Sequence, residues 1–290
     1  MPILGRSSKA WQRYPMPAQL DAYAVDRLGA LPEGRSLVID LSKTKFIKPA
    51  GMTVLYWLVR GLREAGREVR LEIGSQDVAS YLCRMNFHVP FRQDAGCSFE
   101  PNLQKMKVPK AYGAADRLME FRLVAVTNDT DVTDAGKQIL GIVETNAPAF
   151  VEARDELFTA ITELLSNVER HSGVRETSVV AQSHKDCVRI AVGDCGRGIR
   201  ASLTTTRKAQ IESLPDYRVN LLATEPGVTG SLMGGGYGLT TIRDLVQERG
   251  QALHIISGSG RASILRSLMA GRQLQFAVPG TVVEVSLARG

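Results

Sequence analysis

The sequence has few of the residues that build metal or disulfide scaffolds. Its four cysteines, Cys83, Cys97, Cys187 and Cys195, make no close pair of metal-ligand spacing and no disulfide-dense pattern, so a reducing cytoplasm is the expected compartment. No apolar run reaches the ~18–20 residues that a helical membrane span needs. The opening Met1-Pro2-Ile3-Leu4-Gly5-Arg6 has no long apolar stretch after its basic residue and does not read as a secretory signal. Charge of one sign is not clustered either. The formal charge is +6, but lysine and arginine are scattered as on a solvated surface, so nucleic acid is not expected as a partner. Internal repeats and low-complexity tracts are missing. What is present is 290 residues with 44% hydrophobic content, enough for two ordinary domains with buried cores.

Two patterned regions flank a poorly patterned stretch. In the first, residues 17–88, Ser36-Leu37-Val38-Ile39-Asp40-Leu41 reads as a buried strand. Pro49 then suits the first turn of a helix carrying Val54, Leu55, Leu58, Val59 and Leu62 at helical spacing, with Gly66 as its stop. A strand over 68–73 and a short helix over 77–85 follow. Residues 91–113 lose periodicity and read as a linker or peripheral segment. The second region begins near Phe121, with one long helix over 148–171 and a hairpin of 177–183 with 187–192. A helix after Gly238 and closing strands near 253–257, 262–265 and 281–287 complete it. The expected architecture is a small α/β domain with its linker over 1–115, then a two-layer α+β sandwich over 116–290.

Three short motifs in the second region could carry chemistry. In the helix, Leu157, Ile161, Leu164, Leu165 and Val168 form an apolar stripe, and Glu163, Asn167 and His171 lie beside it at i, i+4 spacing. Asn offers a neutral oxygen to Mg²⁺, and Glu163 could take a proton from an attacking hydroxyl or water. Next, the strand Val188–Val192 runs into Gly193-Asp194-Cys195-Gly196-Arg197-Gly198. An Asp at a strand end can accept from an exocyclic amine, and the glycines let a ring approach the backbone. Last, Gly234-Gly235-Gly236-Tyr237-Gly238-Leu239 opens a helix whose terminal amides suit phosphate. The weakly patterned residues 200–233 before it have the length of a lid. Singly, these motifs equally suit an amphipathic helix, a glycine-rich turn and a flexible loop.

Their order and spacing resemble the GHKL ATPases, which have the Bergerat two-layer α/β sandwich, over residues 120–290. The resemblance implies ATP and Mg²⁺ as ligands, with Asn167 as the metal ligand, Asp194 as the adenine acceptor and Gly196 and Gly198 flanking the nucleotide. It places His171 in the nucleotide motif and Gly234, Gly236, Tyr237, Gly238 and Leu239 at the phosphate-side lid hinge. Thr281 matches the adenine-side threonine, and Glu163 matches the general base. The four histidines include no phosphoacceptor on a preceding dimerising helix, and the chain's end at 290 leaves no room for a transducer domain. The anti-sigma-factor serine/threonine kinases are therefore the branch it looks most like, with a STAS-type or sigma-factor-like protein as partner and a homodimer as an option.

The first region in turn resembles a STAS domain, through Val38-Ile39-Asp40-Leu41-Ser42, the Phe46–Met52 segment and Tyr81–Phe87. The STAS switch usually reads Asp-Ser-Ser/Thr-Gly-Leu, whereas this chain has Lys48-Pro49-Ala50-Gly51-Met52. Ala50 has no oxygen to phosphorylate, and Thr53 is expected about one turn into the helix. Two functions stay open: a protein kinase with a degenerate STAS-like adaptor, and an ATP-driven switch without transfer.

Overall fold

The computed structural model describes residues 11–107, 118–184, 186–231, 236–248 and 250–288. Among the described residues the chain is a mixed α/β structure with a four-stranded parallel sheet, a five-stranded antiparallel sheet and a two-stranded parallel pair. The parallel sheet has the order β1-β3-β5-β6, formed by β1 (Gln12–Pro15), β3 (Ser36–Asp40), β5 (Glu68–Glu72) and β6 (Cys97–Glu100). Two short strands, β2 (Gln19–Leu20) and β4 (Phe46–Ile47), pair separately, and the short helix α2 (Gln76–Arg84) follows β5. The antiparallel sheet has the order β10-β11-β9-β8-β7, from β7 (Leu118–Ala125), β8 (Glu176–Ser183), β9 (Cys187–Asp194), β10 (Gly250–Leu265) and β11 (Leu268–Ala288).

Helix α1 (Pro49–Glu64) begins with Pro49 in its first turn, where the missing N–H costs no helical bond. It is buried on nearly all sides, from Pro49 through Val59, as expected of a helix enclosed between layers. It packs on β5 of the parallel sheet and on β8, β9 and β11 of the antiparallel one. The opposite face of the antiparallel sheet carries α3 (Asp129–Asn146), α4 (Arg154–Asn167) and α7 (Gly238–Glu248). Strand alternation divides the side chains between these neighbours. Val192, Val283 and Val285 join the core under α3, α4 and α7, whereas Val180, Ile256 and Val282 join the core around α1.

The two halves thus share one hydrophobic core, in which Tyr56 and Phe87 meet Phe121 and Trp57 packs edge-on to Tyr56. Polar contacts reinforce the junction. Trp57 Nε1 donates to Ser178 Oγ at 2.9 Å, and Ala50 N–H donates to Glu284 Oε2 at 2.7 Å. Arg261 grips Asp26 with two nitrogens, at 2.7 and 2.6 Å.

Several sequence expectations change. The stretch 91–113 contains β6, the fourth parallel strand, which is too short to show periodicity and buries only Phe99. Its residues 108–113 lie outside the described residues. The expected helix over 148–171 is a 3-10 turn at Pro148–Ala153, then α4, then a π-helical turn at Val168–Ser172. Helix α3 is a further element outside the sequence expectations, and Asn128 caps it by accepting from Asp131 N–H at 3.0 Å. The closing strands are two long ones, and residues 200–233, expected to be a loose lid, hold most of α5 (Gly198–Ile211) and all of α6 (Asp216–Leu222). Leu203, Ile211, Val219, Ala223 and Val228 give that segment a small core of its own, with buried positions too widely spaced in sequence to stand out as a pattern. Among the described residues, no helix is long and apolar enough to cross a membrane.

Candidate functional site

Helix α4 delivers the first side chains. Its apolar residues Leu157, Ile161, Leu164 and Leu165 are buried on the sheet, which turns Glu163 and Asn167 to the edge of that contact. The π turn then widens the backbone before Gly173, whose φ of +78° ends it. His171 stays in the same cleft, half-buried, and its imidazole pKa is lowered by burial first and by Arg170 and Arg197 second. It is therefore neutral near pH 7.

Strand β9 delivers Asp194, which is 5% exposed. Burial pushes this carboxyl up to about 6, against the opposing pull of N–H donation from Gly196 and Thr281. The Gly196 bond to Oδ1 is 2.7 Å. The glycines after it are demanded by close approach. A methyl group at Gly196 would lie 2.3 Å from Ser172 O, and Gly198 has a φ of +76°. Gly280, with a φ of +69°, lets β11 pass so close that a methyl group there would lie 2.1 Å from Asp194 O. Its neighbour Thr281 pairs in register with Asp194.

The third motif arrives from the other side. Gly234 and Gly235 lie outside the described residues. Gly236, with a φ of +92°, accepts from Gly227 N–H at 3.2 Å, which ties the entry of α7 to the preceding segment. Gly238 starts α7 against α4. A methyl group there would sit 2.7 Å from Glu163 Oε2 and 3.3 Å from both polar side-chain atoms of Asn167. Asn167 Nδ2 is buried without a hydrogen-bond partner.

These parts line one cleft of about 260 Å³. Glu163, Asn167, His171, Asp194, Gly198, Gly236, Tyr237, Gly238, Leu239 and Thr281 all border it. Gly196 does not, and acts through its bond to Asp194. Tyr237, 62% exposed, stands at the rim. Chemically, the cleft offers a buried carboxylate as acceptor on one wall. On another it offers a helix N-terminus, favourable to anions, beside a carboxylate and a carboxamide. Among the described residues, no group of three His, Cys, Asp or Glu side chains could hold a metal ion by itself. A single neutral Asn oxygen suits a hard cation that arrives with most of its ligands, such as phosphate oxygens and waters.

Sequence reasoning missed other lining residues, notably Ser202, Leu203 and 228–230 from the segment expected to be a loose lid. It also missed Ser257, a buried hydroxyl behind Thr281. The run Ser257-Gly258-Ser259-Gly260, where β10 shifts register against β11, was the available signal. No family model matches the chain, and no curated protein matches it either.

Proposed function

We propose that the chain is an ATP-binding regulatory protein of GHKL type with a STAS-like N-terminal unit, and that it transfers the γ-phosphoryl group to a serine or threonine hydroxyl of a separate protein. One observation carries the reading. Three motifs separated by tens of residues converge on a single cleft, with Gly238 at contact distance from Glu163 and Asn167 and with Asp194 buried in the wall. Asp194 would accept a hydrogen bond from the adenine amine. The first amides of α7 would receive phosphate oxygens. Asn167 would hold Mg²⁺ through its side-chain oxygen, and its buried, unpartnered Nδ2 is a donor that a phosphate oxygen would satisfy. The cation would neutralise charge on the phosphates. Glu163 would accept the proton of the incoming hydroxyl, positioned by α4 at the start of α7.

The acceptor belongs to another molecule for two reasons. Ala50 has no hydroxyl, and its N–H is spent on Glu284, whose side chain leaves β11 on the face opposite Thr281 and Val283. Thr53 is fully buried, with its hydroxyl donating to Pro49 O at 2.9 Å. Four free thiols suit a reducing compartment such as the cytoplasm.

A second reading, an ATP switch without transfer, draws on the junction. Gly193, next to Asp194, lies under α1 so closely that a methyl group would sit 2.3 Å from Thr53 Cγ2. Ligand-driven movement of β9 would therefore reach the N-terminal unit. Incubation with Mg²⁺ and γ-labelled ATP, with and without STAS proteins of the same cell, separates the readings. Label on a partner Ser or Thr, lost in Glu163→Gln while ATP binding persists, is the expected result. Tight binding with no transfer or hydrolysis would sink the kinase and leave the switch. In both cases Asn167→Ala should abolish Mg-ATP binding, and a variant that binds normally would refute the metal assignment.

A further inference from the structure

Ser257 is 2% exposed and lies behind the wall of the cleft, on β10. Its hydroxyl oxygen has three polar neighbours: Ile199 N at 3.0 Å, Gly280 O at 2.9 Å and Thr281 Oγ1 at 3.1 Å. A hydroxyl has one hydrogen to give and two lone pairs to receive. Gly280 O is a carbonyl and can only accept, so the hydrogen between it and Ser257 must come from Ser257. Ile199 N–H fills one lone pair. The contact to Thr281 then needs a hydrogen that only Thr281 can supply, and it fills the other. Ser257 is saturated, and Thr281 has spent its only hydrogen away from the cleft.

Thr281 consequently faces the cleft with lone pairs alone, next to the Asp194 carboxylate with which it is in register. This wall presents two acceptors. The two hydrogens of an exocyclic amine match both, whereas a 6-oxopurine offers only its N1–H to one of them and sets its ring carbonyl against the other. The geometry points to Ser257 as a specificity-determining positioning residue: by fixing the rotor of Thr281 as an acceptor, it makes the cleft select a 6-aminopurine over a 6-oxopurine nucleotide. This inference rests on the reading of the cleft as an ATP site. Ser257 touches no ligand and acts through Thr281. The backbone around it is built for the role, because a methyl group at Gly198 would lie 3.1 Å from Ser257 Oγ and Gly198 therefore allows the close packing. Asn220 Nδ2 holds the Ser257 carbonyl at 3.2 Å from the other side.

The test compares Mg-ATP with Mg-ITP, which differ at the purine 6-position and in the proton on N1, by equilibrium titration of the full chain. The wild type is expected to prefer ATP by about 100-fold, within the range for sites that read a hydrogen-bonding group. Ser257→Ala frees the Thr281 hydrogen to turn into the cleft, and the preference should fall to about tenfold, chiefly through tighter ITP binding. Tighter binding of one ligand is a gain that mere loosening of the fold does not produce. Should Ser257→Ala fail to fold, Thr281→Val and Thr281→Ser decide the matter. The valine variant should lose most of the preference and the serine variant should keep it. A wild type that binds ATP and ITP alike overturns the inference and leaves the ATP reading standing. A Ser257→Ala protein with the wild-type ratio overturns the role of Ser257. Binding of neither nucleotide overturns the ATP reading and this inference with it.

Discussion

On one face of the antiparallel sheet, Val192, Asp194, Thr281 and Val283 border an open cleft; on the other, Gly193, Val282 and Glu284 meet the N-terminal half. Each face holds a buried carboxyl whose pKa is raised first by desolvation. Asp194 receives N–H groups from its own sheet and loop, so its position does not depend on the other half of the chain. Glu284 receives Ala50 N–H, which belongs to α1. The same chemistry therefore leaves an acceptor available to a ligand on one side and fastens two halves together on the other. What differs is whether the partner of the carboxylate is local or comes from more than two hundred residues away.

The largest test of that contrast is Trp57→Ala. Trp57 is 1% exposed and bridges the two sheets, and its loss should cost about 3–5 kcal/mol. Chemical denaturation followed by circular dichroism should show one shifted transition for the whole chain, because the core is shared. Two separate transitions in the wild type would mean that the junction is not a cooperative core.

Next in size is Asp194→Asn. The carboxyl is raised from 3.8 to about 6, so the unfolded chain loses this proton first as pH rises. Below pH ~4 both states are protonated and the penalty vanishes; above pH ~6 it is complete, at about 3 kcal/mol. The variant should thus be more stable than the wild type at pH 7, with the difference shrinking toward pH 4 in parallel denaturant titrations. A pH-independent difference would contradict the burial argument. On the ATP reading, wild-type affinity should also fall about tenfold between pH 7 and 5 as the acceptor is protonated, measurable by calorimetry.

Glu284→Ala should cost about 1–3 kcal/mol, since it strands Ala50 N–H, while Glu284→Gln keeps an oxygen and should cost less than half of that. Equal losses in thermal melts would show that charge, not the hydrogen bond, holds the junction. The smallest effect is expected for Asp26→Asn, about 1–2 kcal/mol, because Arg261 retains Ser263 and the face of Tyr23. A larger loss would place more of the junction energy in this ion pair than in the apolar core.

Much of the cleft was legible because its residues are local signatures. Asp194-x-Gly196-x-Gly198 encodes a strand end and two close approaches, and Gly238 encodes contact between two helices. Residues 200–233 were not legible, since α5 and α6 are stabilised by scattered contacts such as Arg200 with Ile211 O at 2.9 Å rather than by a repeating stripe. Strand β6 was missed because four residues with one buried aromatic carry no period. Helix α3 differs: its cap at Asn128 is a local signal, but its interior mixes Thr, Asp and Gly with the apolar residues and shows no clean stripe.

The sequence by itself determined the two patterned regions, the strand–helix opening at 36–64 and the three motifs, because each depends on residues within one or two turns of one another. It also determined that position 50 has no hydroxyl. Only the tertiary structure decided that α1 lies between the two sheets, that Glu284 caps Ala50 from far along the chain, and that Ser257 orients Thr281. Those contacts depend on strand register and on which face each side chain leaves, and a single chain's pattern does not record its partners across a sheet.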